Sequence, residues 1–274
     1  MIVTAESNDY KITDINPDNI AKYGACGYKD EKQPGLIRKI EWVREYFPKG
    51  LRIKGVVLRD GGYQGMIEYL PIQHAHRPVE APEDADYLFI NCLFVGFKKK
   101  FKGKGYGEAL VKVAVEDAKK SGSKGVAVVT RNGSLMVSKD IFLKNGFVLV
   151  ETAKPDFELL VLKFDAQSPN PKFRDMKTAQ TKYEKGLFLL RSAQCPYTEK
   201  NVRAILESAK TKFGIDPILV ELDSYLGSST EAGVVSSSMT CPFGVFCLIH
   251  NGVVIGHHPI SQRRFENIMQ KRLK

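Results

Sequence analysis

Long apolar runs are missing from this chain of 274 residues. The longest apolar stretches, residues 55–58, 88–97, 125–130 and 243–249, stop well short of the roughly 20 residues a helix needs to cross a bilayer. The first ten residues carry Glu6 and Asp9 and lack the basic-then-apolar order of a secretion signal. A cytoplasmic protein with no membrane partner is therefore expected. Cysteine is sparse. Cys26, Cys92, Cys195, Cys241 and Cys247 are an odd set, widely spaced, with no CxxC pair. That argues against a disulfide framework and against zinc-type spacing, so no metal ligand is assigned, while single reactive thiols stay open. Internal repeats are absent too.

What is present suffices for two soluble cores. The length is about twice a typical domain, and a mean hydropathy of −0.22 fits globular packing rather than disorder. The net charge of +10 favours an anionic ligand or partner. It is divided between residues 1–165, at +4, and the remainder, at +6, so neither half is a basic arm. The one dense cluster is Lys98, Lys99, Lys100, Lys102 and Lys104. Such a run is ordinarily a solvated face. Without an aromatic stacking platform or a basic stripe, nucleic acid is disfavoured as a partner.

Hydrophobic periodicity in the first half alternates strands and helices. Strands are expected at 10–15, 51–58, 63–72, 87–95, 126–130, 147–152 and 157–164. Asn16-Pro17-Asp18 offers a helix start, and Asp60-Gly61-Gly62 a hairpin turn. Helices are expected at 35–47, with an apolar stripe of Leu36, Ile37, Ile40, Val43 and Phe47, then at 107–121 and at 138–145, the last closed by Gly146. Residues 166–183, with Ser168-Pro169-Asn170-Pro171, read as a linker. A second pattern follows: strand 187–190, helix 198–213, strand 218–222, a Ser/Gly-rich loop at 227–238, strands 245–249 and 253–255 around Asn251-Gly252, and helix 261–274. The expected domains are 1–165 and 186–274, joined by 166–185.

The segment Phe101-Lys102-Gly103-Lys104-Gly105-Tyr106-Gly107 joins a buried strand to a helix. Alternate glycines let backbone N–H groups approach a ligand, and the helix behind them offers the positive end of its dipole, so a pyrophosphate is a natural guest. A GxGxxG fingerprint fails because Glu108 stands where its last glycine belongs, and GxxxxGK[ST] does not match. The turn resembles the acyl-CoA loop of the GNAT superfamily, (Q/R)xxGx(G/A), at Lys102, Gly105 and Gly107. The strand Ile90-Asn91-Cys92-Leu93-Phe94-Val95 before it and Phe142-Leu143-Lys144-Asn145-Gly146-Phe147 after it keep that family's order.

The resemblance implies an α/β (α+β) GNAT fold, a mixed sheet with flanking helices, and acetyl-CoA as co-substrate. Phe94, Val95, Lys102, Gly103, Lys104, Gly105, Tyr106 and Gly107 would line the cofactor. It further implies direct acetyl transfer to the amine of a small molecule or peptide. Deprotonating a lysine-like amine at pH 7 costs about 4–5 kcal/mol, so a base is needed beside the cofactor's strand. Glu68 is the candidate, an acid in an otherwise apolar strand, against the plain reading of a rim carboxylate paired with a lysine. His74 and His76 would touch substrate or stand exposed in a loop. Phe142 occupies the place where the family often keeps an acidic tyrosine, leaving Tyr106 or a water for that role.

In the second half, Gln194-Cys195-Pro196-Tyr197-Thr198 resembles the glutaredoxin CPYC site with threonine as the second cysteine. The βαβ-ββα order resembles a small thioredoxin-like domain. That fold would put a cis-proline at Thr240-Cys241-Pro242 and Cys241 beside Cys195, open to a disulfide, a two-thiolate clamp or neither. Cys195, the third catalytic candidate, would sit at a helix N-terminus that stabilises a thiolate. Cys26, Cys92 and Cys247 read as small buried residues. The whole order resembles the YoaP-type bacterial acetyltransferases. The expected function is N-acetyl transfer, with the second domain presenting substrate or sensing thiols or metals. The alternative is a thiol-redox or binding protein whose GNAT domain only senses acetyl-CoA. Oligomeric state is left open.

Overall fold

The computed structural model describes residues 9–274 except 81, 83–84, 97, 134–135, 178–180 and 223–240, and omits the side chain of Lys100. The expected Ser/Gly-rich loop lies outside the described residues. The chain forms two compact units: residues 1–31, 43–75 and 79–173 make the first, and residues 32–42, 76–78 and 174–274 the second.

The chain begins with β1 (Tyr10–Ile15), α1 (Ile20–Tyr23) and α2 (Pro34–Tyr46). β2 (Arg52–Leu58) and β3 (Tyr63–Pro71) form a hairpin whose turn is held by Asp60 Oδ1, which accepts from Gly62 N at 2.8 Å. Then come β4 (Val79–Glu80), β5 (Tyr87–Val95), α3 (Tyr106–Lys120), β6 (Gly125–Arg131), α4 (Asp140–Lys144), β7 (Val148–Ala153), β8 (Phe157–Lys163) and β9 (Lys172–Phe173). Seven strands make one mixed sheet in the order β1-β2-β3-β5-β6-β8-β7, parallel at β5–β6 and antiparallel elsewhere.

α3 turns Tyr106, Leu110, Val111, Ala114, Val115 and Ala118 onto one face of this sheet. There they pack with Val56, Ile67, Ile90, Leu93, Val128, Phe142 and Phe147. Each large apolar side chain buried this way contributes about 1.5–3 kcal/mol. Phe142 lies edge-on to Phe147 at 5.4 Å between ring centroids and serves packing. Part of the stretch read as a linker is held down: β9 pairs with β4, and Pro169 O accepts from the Tyr87 hydroxyl at 2.9 Å.

The apolar stripe of α2 differs from the expected one. Leu36, Lys39, Trp42, Val43 and Tyr46 are buried, whereas Ile37 is 44% exposed. A lysine takes the inward place because its ammonium sits 4.0 Å from the centroid of the Trp42 ring, a cation–π contact that offsets part of its lost hydration.

The second unit contains β10 (Leu187–Arg191), α5 (Val202–Phe213), β11 (Ile218–Glu221), β12 (Phe246–His250), β13 (Val253–Gly256) and α6 (Gln262–Arg272). Its sheet runs β11-β10-β12-β13, with β10 parallel to β11 and antiparallel to β12. The β12–β13 hairpin turns at Asn251 and Gly252, both at positive φ (50° and 73°). α5 and α6 meet through Phe213 and Phe265, with ring centroids 6.0 Å apart. Ser261 caps α6 by accepting from Arg264 N at 3.2 Å.

His74 and His250 both have pKa values below the ordinary histidine value, from burial first and then from the charges of Lys49 and Arg272 respectively. A depressed folded-state pKa means the unfolded chain takes up the proton first, so this contribution is complete above about pH 6.5 and is lost as pH falls through the folded pKa. Urea midpoints should therefore drop between pH 7.5 and 5.5, and His250→Gln should flatten the part of the slope that belongs to the second unit.

Candidate active site

In the first unit, β5 and β6 pair over only four positions, from Tyr87↔Gly125 to Ile90↔Val128. Beyond them Leu93, Phe94 and Val95 stay with β3, while Val129, Thr130 and Arg131 stay with β8. The parting begins at a β-bulge: Glu68 faces Cys92 and Tyr69 faces Ile90, so Asn91 is the extra residue. A bulge bends its strand and sharpens its twist. A wedge opens between the two strands, with a strand edge along each arm.

The wide end of the wedge leads into the glycine turn. After a 3₁₀ turn at Lys99–Phe101, Gly103 and Gly105 adopt φ of 72° and 76°. That left-handed region suits glycine, and a Cβ at either position would meet nothing within 4 Å, so the turn faces open space. Gly105 is also the N-cap of α3 and offers no side chain to the first N–H groups, which are left for a ligand. Lys102 and Lys104 are exposed beside it. Gly107 lies one residue into the helix, where a Cβ would come within 2.6 Å of Ile141 Cδ1 on α4. Phe94, Val95 and the turn residues thus belong to one end of the wedge. Tyr106 is different: its ring is buried in the core and stands edge-on to Tyr10 at 5.1 Å.

Glu68 is fully buried and lies between Ile53 and Cys92 in the sheet register. It lies on the face opposite α3, together with Met66 and Cys92. Tyr63 belongs to this group. Its pKa is pushed well above the ordinary tyrosine value by burial first, then by Cys26, Cys92 and Glu68. The far arm of the wedge ends at Arg131, whose Nη2 lies 2.9 Å from Asp156 Oδ1.

The histidines depart from expectation. β3 ends at Pro71, short of both. His74 closes a 3₁₀ turn at Ile72–His74, and His76, in the second unit, is 1% exposed with its ring 5.9 Å from that of Trp42.

Cys195 also belongs to the second unit and is half-buried. The expected helix start is shifted: Pro196–Glu199 form a 3₁₀ turn, and α5 begins only at Val202. The cause is Thr198, whose hydroxyl donates to the carbonyls of Ser192 and Cys195, both at 2.8 Å, and fixes a local turn in place of helix. Cys195 therefore does not stand at the N-terminus of a long helix. Pro242 departs as well. It enters a turn closed by Gly244 N donating to Cys241 O at 3.2 Å, while the cis peptide among the described residues is Lys154–Pro155.

None of the five cysteines is in a disulfide. Cys241 is fully buried, which raises its pKa, but hydrogen bonds with Cys247 and His257 and the charge of His257 outweigh that and hold it below the usual thiol range. The carbonyls of Phe246 and His257, 3.4 and 3.8 Å away, pull the other way by accepting from the thiol.

Sequence periodicity missed the bulge at Asn91, the Tyr63 group and the Arg131–Asp156 pair. The rise of polar residues inside apolar strands (Asn91, Arg131) was the available signal. Among the described residues no helix is long and apolar enough to cross a membrane, and no three His, Cys, Asp or Glu side chains are grouped to hold a metal.

The strand wedge opens onto a glycine turn at a helix N-terminus, and residues 19–147 match the model of the acetyltransferase (GNAT) family. The matched segment runs from α1 through α4 and contains both the wedge and the glycine turn. Over nearly its whole length the chain is similar to the "Uncharacterized N-acetyltransferase YoaP" of Bacillus subtilis (strain 168): 27% identity over 260 residues, 93% of this chain and 97% of that protein. Among solved structures, it is similar to the PaiA N-acetyltransferase of Thermoplasma acidophilum in complex with coenzyme A, with 20% identity and a TM-score of 0.36. That likeness covers 57% of this chain and 99% of the other. NAA60 of Arabidopsis thaliana in complex with acetyl-CoA is similar at 12% identity and a TM-score of 0.40, over 56% and 98% of the two chains.

Burial orders the thiols by reactivity. Iodoacetamide on the native protein should label Cys195 and Cys92 well before Cys241 and Cys247, which are 0% exposed. Peptide mass spectrometry would read that order.

Proposed function

We propose that the first unit transfers acetyl from acetyl-CoA to the amine of a small-molecule or peptide acceptor by direct attack. The wedge between β5 and β6 carries this reading, because it opens onto the turn with free helix N–H groups. The diphosphate of the co-substrate would lie against Gly103 to Gly107, with Lys102 and Lys104 adding positive charge, and its arm would follow Phe94 and Val95 toward Asn91. The bulge turns the Asn91 backbone out of the regular ladder, to where the thioester carbonyl gathers negative charge during attack.

Glu68 serves as the base, taking the proton that the acceptor amine must lose. A carboxylate inside a water-poor sheet face is well suited to this, since it is held in place and little solvent competes for it. Because the Tyr106 ring is turned into the core, the departing thiolate takes its proton from a water.

The second unit is read as thioredoxin-like, supported by its β11-β10-β12-β13 order and by Cys195 in the loop after β10. It would present substrate or sense thiols or metals. Residues 1–165 and 186–274 are kept as the functional divisions.

Calorimetric titration with acetyl-CoA should give saturable binding, weakened at least about tenfold in Gly105→Trp, where a bulky side chain enters the turn at positive φ. Glu68→Gln should lower kcat about a hundredfold with cofactor affinity retained. A kcat unchanged from pH 6 to 9 would remove Glu68 from the mechanism. Tight acetyl-CoA binding with no turnover across an amine library would favour a sensor over an enzyme.

A further inference from the structure

Cys26 occupies a position that a cysteine does not favour. Ala25 and Tyr28 exchange both backbone hydrogen bonds, Ala25 N to Tyr28 O at 3.0 Å and Tyr28 N to Ala25 O at 2.8 Å, closing a two-residue turn. The residues at its tip, Cys26 and Gly27, have φ of 50° and 89°. Two successive positive φ values define the tight turn that asparagine and glycine fill readily and other side chains fill under strain. Cys26 and Asn251 are the non-glycine residues with positive φ among those described. Asn251 is of the type that such turns prefer, and Cys26 is not.

The turn aims its side chain inward. Cys26 Sγ lies 3.6 Å from Cys92 Sγ and 3.8 Å from Met66 Sδ. Three sulfurs from three separate segments (residues 26, 66 and 92) meet on the sheet face opposite α3. Cys26 and Met66 are buried, and Cys92 is half-buried.

We propose that Cys26, Cys92 and Met66 form a copper(I) site. Three ligands at about 2.3 Å from one first-row d¹⁰ ion stand roughly 3.8–4.0 Å apart, so the two measured separations need to open by only a few tenths of an ångström. Thiolate and thioether donors together select a soft monovalent ion, since a thioether adds little for zinc or for harder cations. Zinc also wants four ligands, and no third His, Cys, Asp or Glu joins the two cysteines among the described residues. A disulfide accounts for two of the sulfurs and leaves the Met66 contact without a role. On binding, each cysteine that ligates gives up its thiol proton and copper stays in the +1 state, so no oxidant or reductant is consumed.

This site does not depend on the acetyl-transfer reading. The test is anaerobic titration of the full chain with copper(I) against a bicinchoninate competitor, comparing wild type with Cys26→Gly and Cys92→Ser. Glycine suits φ of 50°, so Cys26→Gly removes the thiol without harming the turn, and circular dichroism checks both variants. Taking differences cancels any copper held by Cys241 or Cys247. The expected result is one tightly bound equivalent lost in each variant, an affinity about tenfold lower in Met66→Leu, and one equivalent of copper shielding Cys26 and Cys92 from alkylation. Equal stoichiometry in wild type and both variants would overturn the proposal. So would unchanged affinity in Met66→Leu, or a peroxide-formed Cys26–Cys92 disulfide with no shielding by copper.

Discussion

The four-pair limit of the parallel ladder between β5 and β6 governs the first unit. Parallel strands would ordinarily stay paired to their ends, because an unmade backbone hydrogen bond inside a protein is costly. Here one extra residue, Asn91, changes the course of β5, and the strand keeps its antiparallel partner β3 while leaving β6. Everything that suits this unit to the proposed co-substrate follows from that departure. The edge of β5 is left for a ligand, the glycine turn comes to the mouth of the gap, and α3 begins where a diphosphate would lie. The sheet gives up a short stretch of internal pairing, and a co-substrate can restore it.

Charge is handled differently in the second unit. Arg191 contacts Glu199 and reaches Glu221 at 2.5 Å, and Arg38 reaches Glu221 at 2.8 Å and Glu199 at 3.3 Å. Two arginines and two glutamates alternate around a square, each side chain a quarter exposed or less. Desolvating four charges is expensive, and forked contacts that leave each one between two opposites offset that cost. The square joins β10, β11, the turn after Cys195 and the first half of α2. The shape of the Cys195 loop thus depends on ions as well as on the Thr198 hydroxyl.

Much of this was legible from local chemistry. Strand positions follow from runs of branched and aromatic residues. The glycine turn and the Asn251-Gly252 hairpin follow from backbone sterics, which act within a few residues. The illegible parts arise from register and from distance along the chain. Asn91 stands out as a polar residue in an apolar strand, but its type does not say that two residues will face one. Ile37 looked more apolar than Lys39, yet a tryptophan one turn away makes the lysine the buried one. Cys26 and Cys92 are 66 residues apart, and the sequence held no sign that their sulfurs would meet. The helix after Cys195 starts late because a hydroxyl competes for carbonyls, a choice that helical periodicity does not see.

The second unit is discontinuous, and that sets an order on its making. Arg38 leaves the ribosome well over a hundred residues ahead of Arg191, Glu199 and Glu221. At synthesis rates of roughly 5–20 residues per second, the helix carrying it waits on the order of ten seconds or more before its ionic partners exist. During that time Trp42, Leu36 and the lysine beneath the indole lack their final surroundings. A nascent chain stalled midway would therefore expose a sticky helical surface that chaperones could hold, and residues 174–274 expressed alone would lack a corner of their own charge lattice.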